Sequence, residues 1–414
     1  MNINETWLKQ NDEYIDIAIN WLHLRLQKQA VTFEPVQTKE TEKLSWFNKG
    51  GAETTSKSIQ EKQDKVLADA AKAKAVAEAA EPPPAFIKLS RIFGLTRFES
   101  DVLLLCVAME LDGATASLCA KAHNHPHKPY PTFGLAWTLF HEQDWNAFTI
   151  DRPLRYWRIL EINQPGAEPL LTSALRVDER IVSYIFDPKD NIDDRLKPFI
   201  APIDSVDTEE EALSSSQLLT AETLRHYLAA NLANAGQRPL IVQLIGADVL
   251  AKQAIASQAL SRLGLQIARF PVETLPTQTA ELENLTRFWG RERQLLPLAL
   301  YLDAHGMDTS TAHSGAATLQ RLINSTGGVV IIATRDIRAE LGGWTLEINK
   351  PTSAEQQTAW NAALGSNEKC TGGAFGRTVQ PEFPQHSSYR PYRTRRNIRS
   401  GQQFATTHLA SLPA

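Results

Sequence analysis

Residues 239–254 read PLIVQLIGADVLAKQA. Leu240 to Ile245 is an apolar run of strand length. A glycine follows at once, and Lys252 stands six residues beyond Gly246. Strand, turn, then lysine at the head of a helix is the layout of a phosphate-binding loop. There, backbone N–H groups and the lysine hold phosphate at a helix N-terminus. Against the pattern G-x-x-x-x-G-K-[ST] the match is incomplete. Ala251 replaces the second glycine and Gln253 replaces the hydroxyl residue. A Cβ at 251 narrows the turn. The Gln253 amide is a poorer magnesium ligand than the usual hydroxyl.

Downstream, strands and helices alternate. Strands are expected at 240–245, 266–270, 298–302, 329–333 and 344–348, and helices at 249–263, 279–294 and 316–325. Alternation with apolar strands predicts a parallel sheet covered on both faces. The segment LPLALYLDA, residues 296–304, ends its apolar run in Asp303, where an aspartate orients magnesium and its water. Ala304 follows, at a position where ATPases with a phosphate-binding loop of this type usually carry a glutamate that polarises water. Glu283 or Glu292 would have to substitute for it. Thr334 closes VVIIATRD, where a polar residue would sense a γ-phosphate, and Arg335 is its charged neighbour. The candidate set is Gly246, Lys252, Gln253, Asp303 and Thr334, with Asp303 as the metal ligand. The expected cofactors are ATP and Mg2+, both held weakly.

Upstream, residues 1–30 carry a helical repeat of Trp, Ile and Leu, and 31–56 read as loop. Lys57 to Glu81 is rich in strong helix formers and reads as a solvated helix stopped by Pro82-Pro83-Pro84. Helices are expected at 85–94 and 97–111, the second apolar on nearly every face and so central to its domain. His123, His125 and His127 alternate in a proline-rich stretch. A metal reading needs a fourth ligand, so an exposed loop is favoured. TFGLAWTLF reads as helix, PLRYWRILEIN as strand or amphipathic element, and LTSALRVDERIVSYIF as a helix capped by Thr172 or Ser173. This order is compatible with a winged helix. Residues 203–218 are acidic and serine-rich and read as a linker, with a helix from Leu219. Thr371 to Ala414 carries six Arg against one acid, Glu382, with no periodicity. It reads as a disordered or out-of-frame end, with an RNA-binding tail as the sharper alternative.

The chain has 414 residues and a net charge of -4, which argues against a protein built mainly to hold nucleic acid. Three cysteines at unrelated spacings make neither a disulfide framework nor a zinc site. No secretory pattern stands at Met1 and no apolar run has membrane-spanning length, so the expected location is the cytoplasm.

The loop at 246–253, the strand at 298–303 and the strand at 329–334 together resemble an AAA+ ATPase module. RIFGLTRFESDVLLLCVAMELD, PTFGLAWTLF, PLRYWRILEI and LRVDERIVSYI resemble the winged-helix region of a bacterial AAA+ family often linked to contractile injection systems. The resemblance implies an α/β chain: a helical segment at 1–82, a winged-helix-like domain at 83–205 and a degenerate AAA+-like domain at 219–365. The lid would begin at Pro351, and the tail at 371–414 would come after it. Members carry a second, intact ATPase module, so this chain looks truncated. The resemblance also implies ATP binding with weak or no hydrolysis, a protein substrate or assembly partner, a possible homo-oligomeric ring and no membrane. The alternative is a nucleic-acid-binding protein using the winged-helix region and the Arg-rich tail.

Overall fold

The computed structural model describes residues 3–32, 51–140, 142, 144–186, 188, 191–203, 213–234, 238–306 and 312–358. The compact unit Met1–Gln357 contains almost all of them, and the expected tail at 371–414 lies outside the described residues.

The N-terminal part is helical. It comprises α1 (Ile3–Val31), α2 (Gly51–Glu78), α3 (Ala85–Ile92), α4 (Arg97–Leu111), α5 (Ala114–Ala122), α6 (Phe133–Leu139) and α7 (Pro153–Tyr156). An antiparallel pair, β1 (Leu160–Asn163) and β2 (Ala174–Val177), then leads to α8 (Glu179–Phe186). Helix α4 is the centre, as its sequence predicts: Val102 to Ala108 are all buried. A capping box of Thr96 and Glu99 starts it, and Arg152 binds the same Glu99 carboxylate. Buried Asn11 on α1 ties α3 and α8 together, accepting from Ala85 N at 2.8 Å and donating to Ile185 O at 2.8 Å.

Some expectations need correction here. Helix α2 begins at Gly51, inside the stretch read as loop, because extending a helix adds one hydrogen bond per residue fixed once a turn exists. Nor is it simply solvated. Lys74 is buried, its ammonium 3.3 Å from Asp101 and 3.0 Å from Glu78 and over the Trp21 ring. Thr172 and Ser173 cap no helix. Leu175 and Val177 point inward around exposed Arg176, so period 2 wins over the apparent helical repeat until Asp178.

A helix α9 (Ser215–Asn231) then opens the second part, four residues before the expected start, because Ser214 and Gln217 form a capping box. Strands β3 (Leu240–Ile245), β4 (Gln266–Pro271), β5 (Leu298–Asp303), β6 (Val329–Thr334) and β7 (Trp344–Glu347) form one parallel sheet in the order β4-β5-β6-β3-β7. The helices between them are α10 (Val249–Ser261), α11 (Thr279–Leu295) and α12 (Ala312–Thr326). The expected α/β class holds, with all five strands in place.

Alternation divides the sheet between two cores. Ala299, Tyr301, Val329 and Ile331 face one side with α9 and α10. Leu298, Leu300, Leu302, Val330 and Ile332 face the other, where the apolar core continues without a break into Phe98, Leu103 and Tyr184 of the N-terminal part. Gly290 on α11 permits this contact: a Cβ there would stand 2.8 Å from the Trp157 ring.

Candidate functional site

The five sequence-predicted residues meet at one end of the sheet. Gly246 follows β3, Asp303 ends β5 and Thr334 ends β6, and these three strands are neighbours in the order β5-β6-β3. The register places Ile245 opposite Thr334 and Asp303 opposite Ala333. This is the crevice beyond the carboxyl ends of parallel strands, where open α/β sheets bind ligands.

The turn itself is shorter than the motif implies. Helix α10 is already wound at Val249, capped by Asp248, whose carboxylate accepts from Ala251 N at 3.0 Å. Positions 249–251, which a phosphate cradle would leave as open loop, are therefore helical. A carboxylate of the chain stands at the helix N-terminus where a phosphate would stand. Gly246 has φ +146°, and a Cβ there would lie 2.6 Å from Ile348 O, so the glycine is required by β7's approach.

Lys252 lies in the first turn of α10 with no exposed surface. Its Nζ donates to Gly246 O at 2.8 Å and to Thr334 O at 2.8 Å, strapping the ends of β3 and β6 together. Its third contact is Nδ1 of His305 at 3.0 Å, and Arg335 Nε donates to the Nε2 of the same ring at 3.0 Å. A neutral imidazole has one acceptor nitrogen, so it cannot accept from both cations. With Lys252 charged, the ring accepts from one of the two cations and faces the other without a hydrogen bond. Burial, set against the nearby Asp303 and Asp248 charges, pushes the Lys252 pKa down to about 8. Burial, then Lys252 and Arg335, lower that of His305 as well.

Asp303 is also engaged. Arg269 from the neighbouring edge strand β4 reaches Oδ2 with Nε at 3.1 Å and NH2 at 2.7 Å. The other oxygen accepts His305 N at 3.3 Å. Thr334 and Gln253 are buried, and Thr334 Oγ1 and Gln253 Oε1 have no hydrogen-bond partner. Ala304 is buried and brings no base. The two glutamates considered as substitutes are engaged on α11: Glu292 by Arg180 at 2.9 Å and Glu283 by Arg287. In this arrangement the residues do not fit MgATP: the ammonium is held by two carbonyls, the carboxylate by a guanidinium and the helix N-terminus by Asp248.

Sequence reasoning missed Arg269, His305 and Asp248. Asp248 carried a readable signal, since an Asp three residues before Ala251 at a strand–helix turn is a helix cap. Arg269 and His305 sit at positions that only strand register and the loop after β5 reveal.

A second charged cluster joins the two parts. Arg291, fully buried on α11, binds Asp193 and lies 3.3 Å from Asp178. Arg195 binds both aspartates, at 2.7 and 2.8 Å, and Arg180 binds Glu292. A cavity of about 580 Å3 lies against it, lined by Arg176, Arg180, Arg195 and Lys197 and by five carboxylates. Among the described residues no group of His, Cys, Asp or Glu is placed to hold a metal ion. His123 contacts Tyr130 O at 3.2 Å, and His125 and His127 are exposed. No described helix is long and apolar enough to cross a membrane.

Residues 9–200 match the family described as "Winged helix domain, variant". The winged-helix expectation for the N-terminal part therefore holds. Among solved structures, a Trip13 from Rhizobiales is 19% identical over 38% of this chain and 64% of that one, with a TM-score of 0.24. A chain of the E. coli MS115-1 HORMA:CdnC:Trip13 complex is 14% identical over 45% of this chain and 74% of its own, with a TM-score of 0.23. The chain spans less than two thirds of the length of the first. Scores this low carry no functional argument. No curated protein matches.

Proposed function

We propose that this chain is an AAA+-like, winged-helix protein whose nucleotide-type module works as an assembly element rather than a motor. Its partners are proteins, MgATP is bound weakly or not at all, and hydrolysis is lost. One observation carries this reading: both charges on which MgATP binding depends, Lys252 and Asp303, already have partners inside the fold. Ala304 adds to it, because no base follows the aspartate. Titration with a fluorescent ATP analogue and Mg2+ is expected to show no saturation below millimolar nucleotide, with no turnover. Fast ATP hydrolysis abolished by Lys252→Ala would overturn the reading.

The winged-helix match also fits a second reading, nucleic-acid binding. Salt-dependent retention on DNA, lost on deleting residues 371–414, would select it.

A further inference from the structure

Arg269 makes two attachments that no other side chain of the site combines. With Nε and NH2 it forks onto Asp303 Oδ2. With NH1 it reaches Pro202 O at 3.3 Å, and its own carbonyl accepts Ala201 N at 2.9 Å. Ala201 and Pro202 belong to the segment leaving the winged-helix part. They lie on the outer edge of β4 as an isolated antiparallel bridge.

That bridge is isolated and forms no strand. Among the described residues the pairing is confined to Ala201 and Arg269. A single amide hydrogen bond is a weak fastening at a sheet edge. The guanidinium supplies the second point of attachment, and its direction is set by Asp303. The fork on Oδ2 fixes the plane of the group, which leaves NH1 turned to the Pro202 carbonyl. The Asp303 side chain is only 10% exposed, so its charge is poorly hydrated and holds its counter-ion firmly.

We infer that Arg269 is a positioning residue that stands as the resident cation of Asp303 and thereby fastens the Ala201–Pro202 segment to the end of the sheet. The state of the strand-end carboxylate is then transmitted to the exit of the winged-helix part, whether or not the module binds nucleotide. Anything that takes Asp303 away from Arg269 loosens that exit.

Amide hydrogen exchange tests this on the full chain. Asp303→Asn touches neither Ala201 nor Pro202, yet exchange at the Ala201 amide is expected to rise about tenfold. Amides of the central strand β6 serve as the reference for global opening and are expected to stay unchanged. Arg269→Lys keeps one positive charge near Asp303 and loses the fork, so it is expected to fold and to show the same rise at Ala201. Unchanged exchange at Ala201 in Asp303→Asn overturns the proposal, because the strap is then independent of the carboxylate. An equal rise at Ala201 and in β6 overturns it too, because Ala201 then tracks global unfolding.

Discussion

Replacing Lys252 separates a phosphate ligand from a structural strap. In a working phosphate loop the lysine is spent on the ligand, and its loss leaves the fold nearly as stable as before. Here its two hydrogen bonds to Gly246 O and Thr334 O are charge-assisted when it is protonated, each worth about 1.5–3 kcal/mol. Against that, burial holds the Lys252 pKa down at about 8, from 10.5, even with the Asp303 and Asp248 charges nearby, so the fold on balance disfavours the charged form by about 3 kcal/mol. At the middle of the range the two effects leave about 1–2 kcal/mol, which is the loss expected for Lys252→Met, a change that keeps the packed stem. Lys252→Ala also removes three buried methylenes at about 0.8 kcal/mol each and opens a cavity, so about 3 kcal/mol is expected. The pH dependence has a fixed sign. Between about 8 and 10.5 the unfolded lysine binds a proton that the folded one does not. Wild-type stability relative to Lys252→Met therefore rises with pH across that window. Urea unfolding followed by tryptophan fluorescence at pH 7 and pH 9.5 reads both effects. Equal stability of all three proteins at both pH values would refute the strap.

Four further outcomes are expected. Gly246→Ala must push Ile348 O from 2.6 Å and is expected to cost about 2–3 kcal/mol by the same unfolding assay. Arg291→Ala leaves Asp178 and Asp193 buried beside one remaining guanidinium and is expected to cost about 3–5 kcal/mol. Burial alone would raise the Asp193 carboxyl, but hydrogen bonds from Arg195 and the charge of Arg291 hold it below the ordinary range. The wild type is therefore expected to lose that stability as pH falls through the lowered value, and calorimetry from pH 5 to pH 2 reads the loss. Cys106 and Cys119 are buried, and burial pushes both thiols up, Cys119 to about 12. Neither is expected to react with a thiol reagent until the protein unfolds, which intact mass after native labelling shows.

The sheet was legible because its central strands are mostly apolar runs bounded by glycine, proline or a charge. All five appear within a residue or so of the expected bounds. The convergence of Gly246, Asp303 and Thr334 was legible for the same reason, since parallel strands read in chain order must present their carboxyl ends together. What those residues bind was not legible. Arg269 meets Asp303 because Pro271 is in register with Asp303, which places Arg269 two residues back on the adjacent strand. Nothing local to LPLALYLDA announces that pairing. The strand at Ala174–Val177 was hidden by a different cause. Four residues give too few repeats to separate period 2 from period 3.6, and the real helix after it lent its pattern to the whole stretch.

The apolar core shared by α4, α8, α11 and the sheet has a practical meaning for anyone dividing this protein. A cut in the acidic stretch after Pro202 would look clean in the sequence. It would strip Phe288, Trp289 and Leu300 from one product and Trp157 and Tyr184 from the other, leaving greasy, unpaired faces on both. The halves would also part Arg291 from Asp193. The two parts should melt in one transition, and neither is a sound unit for separate expression.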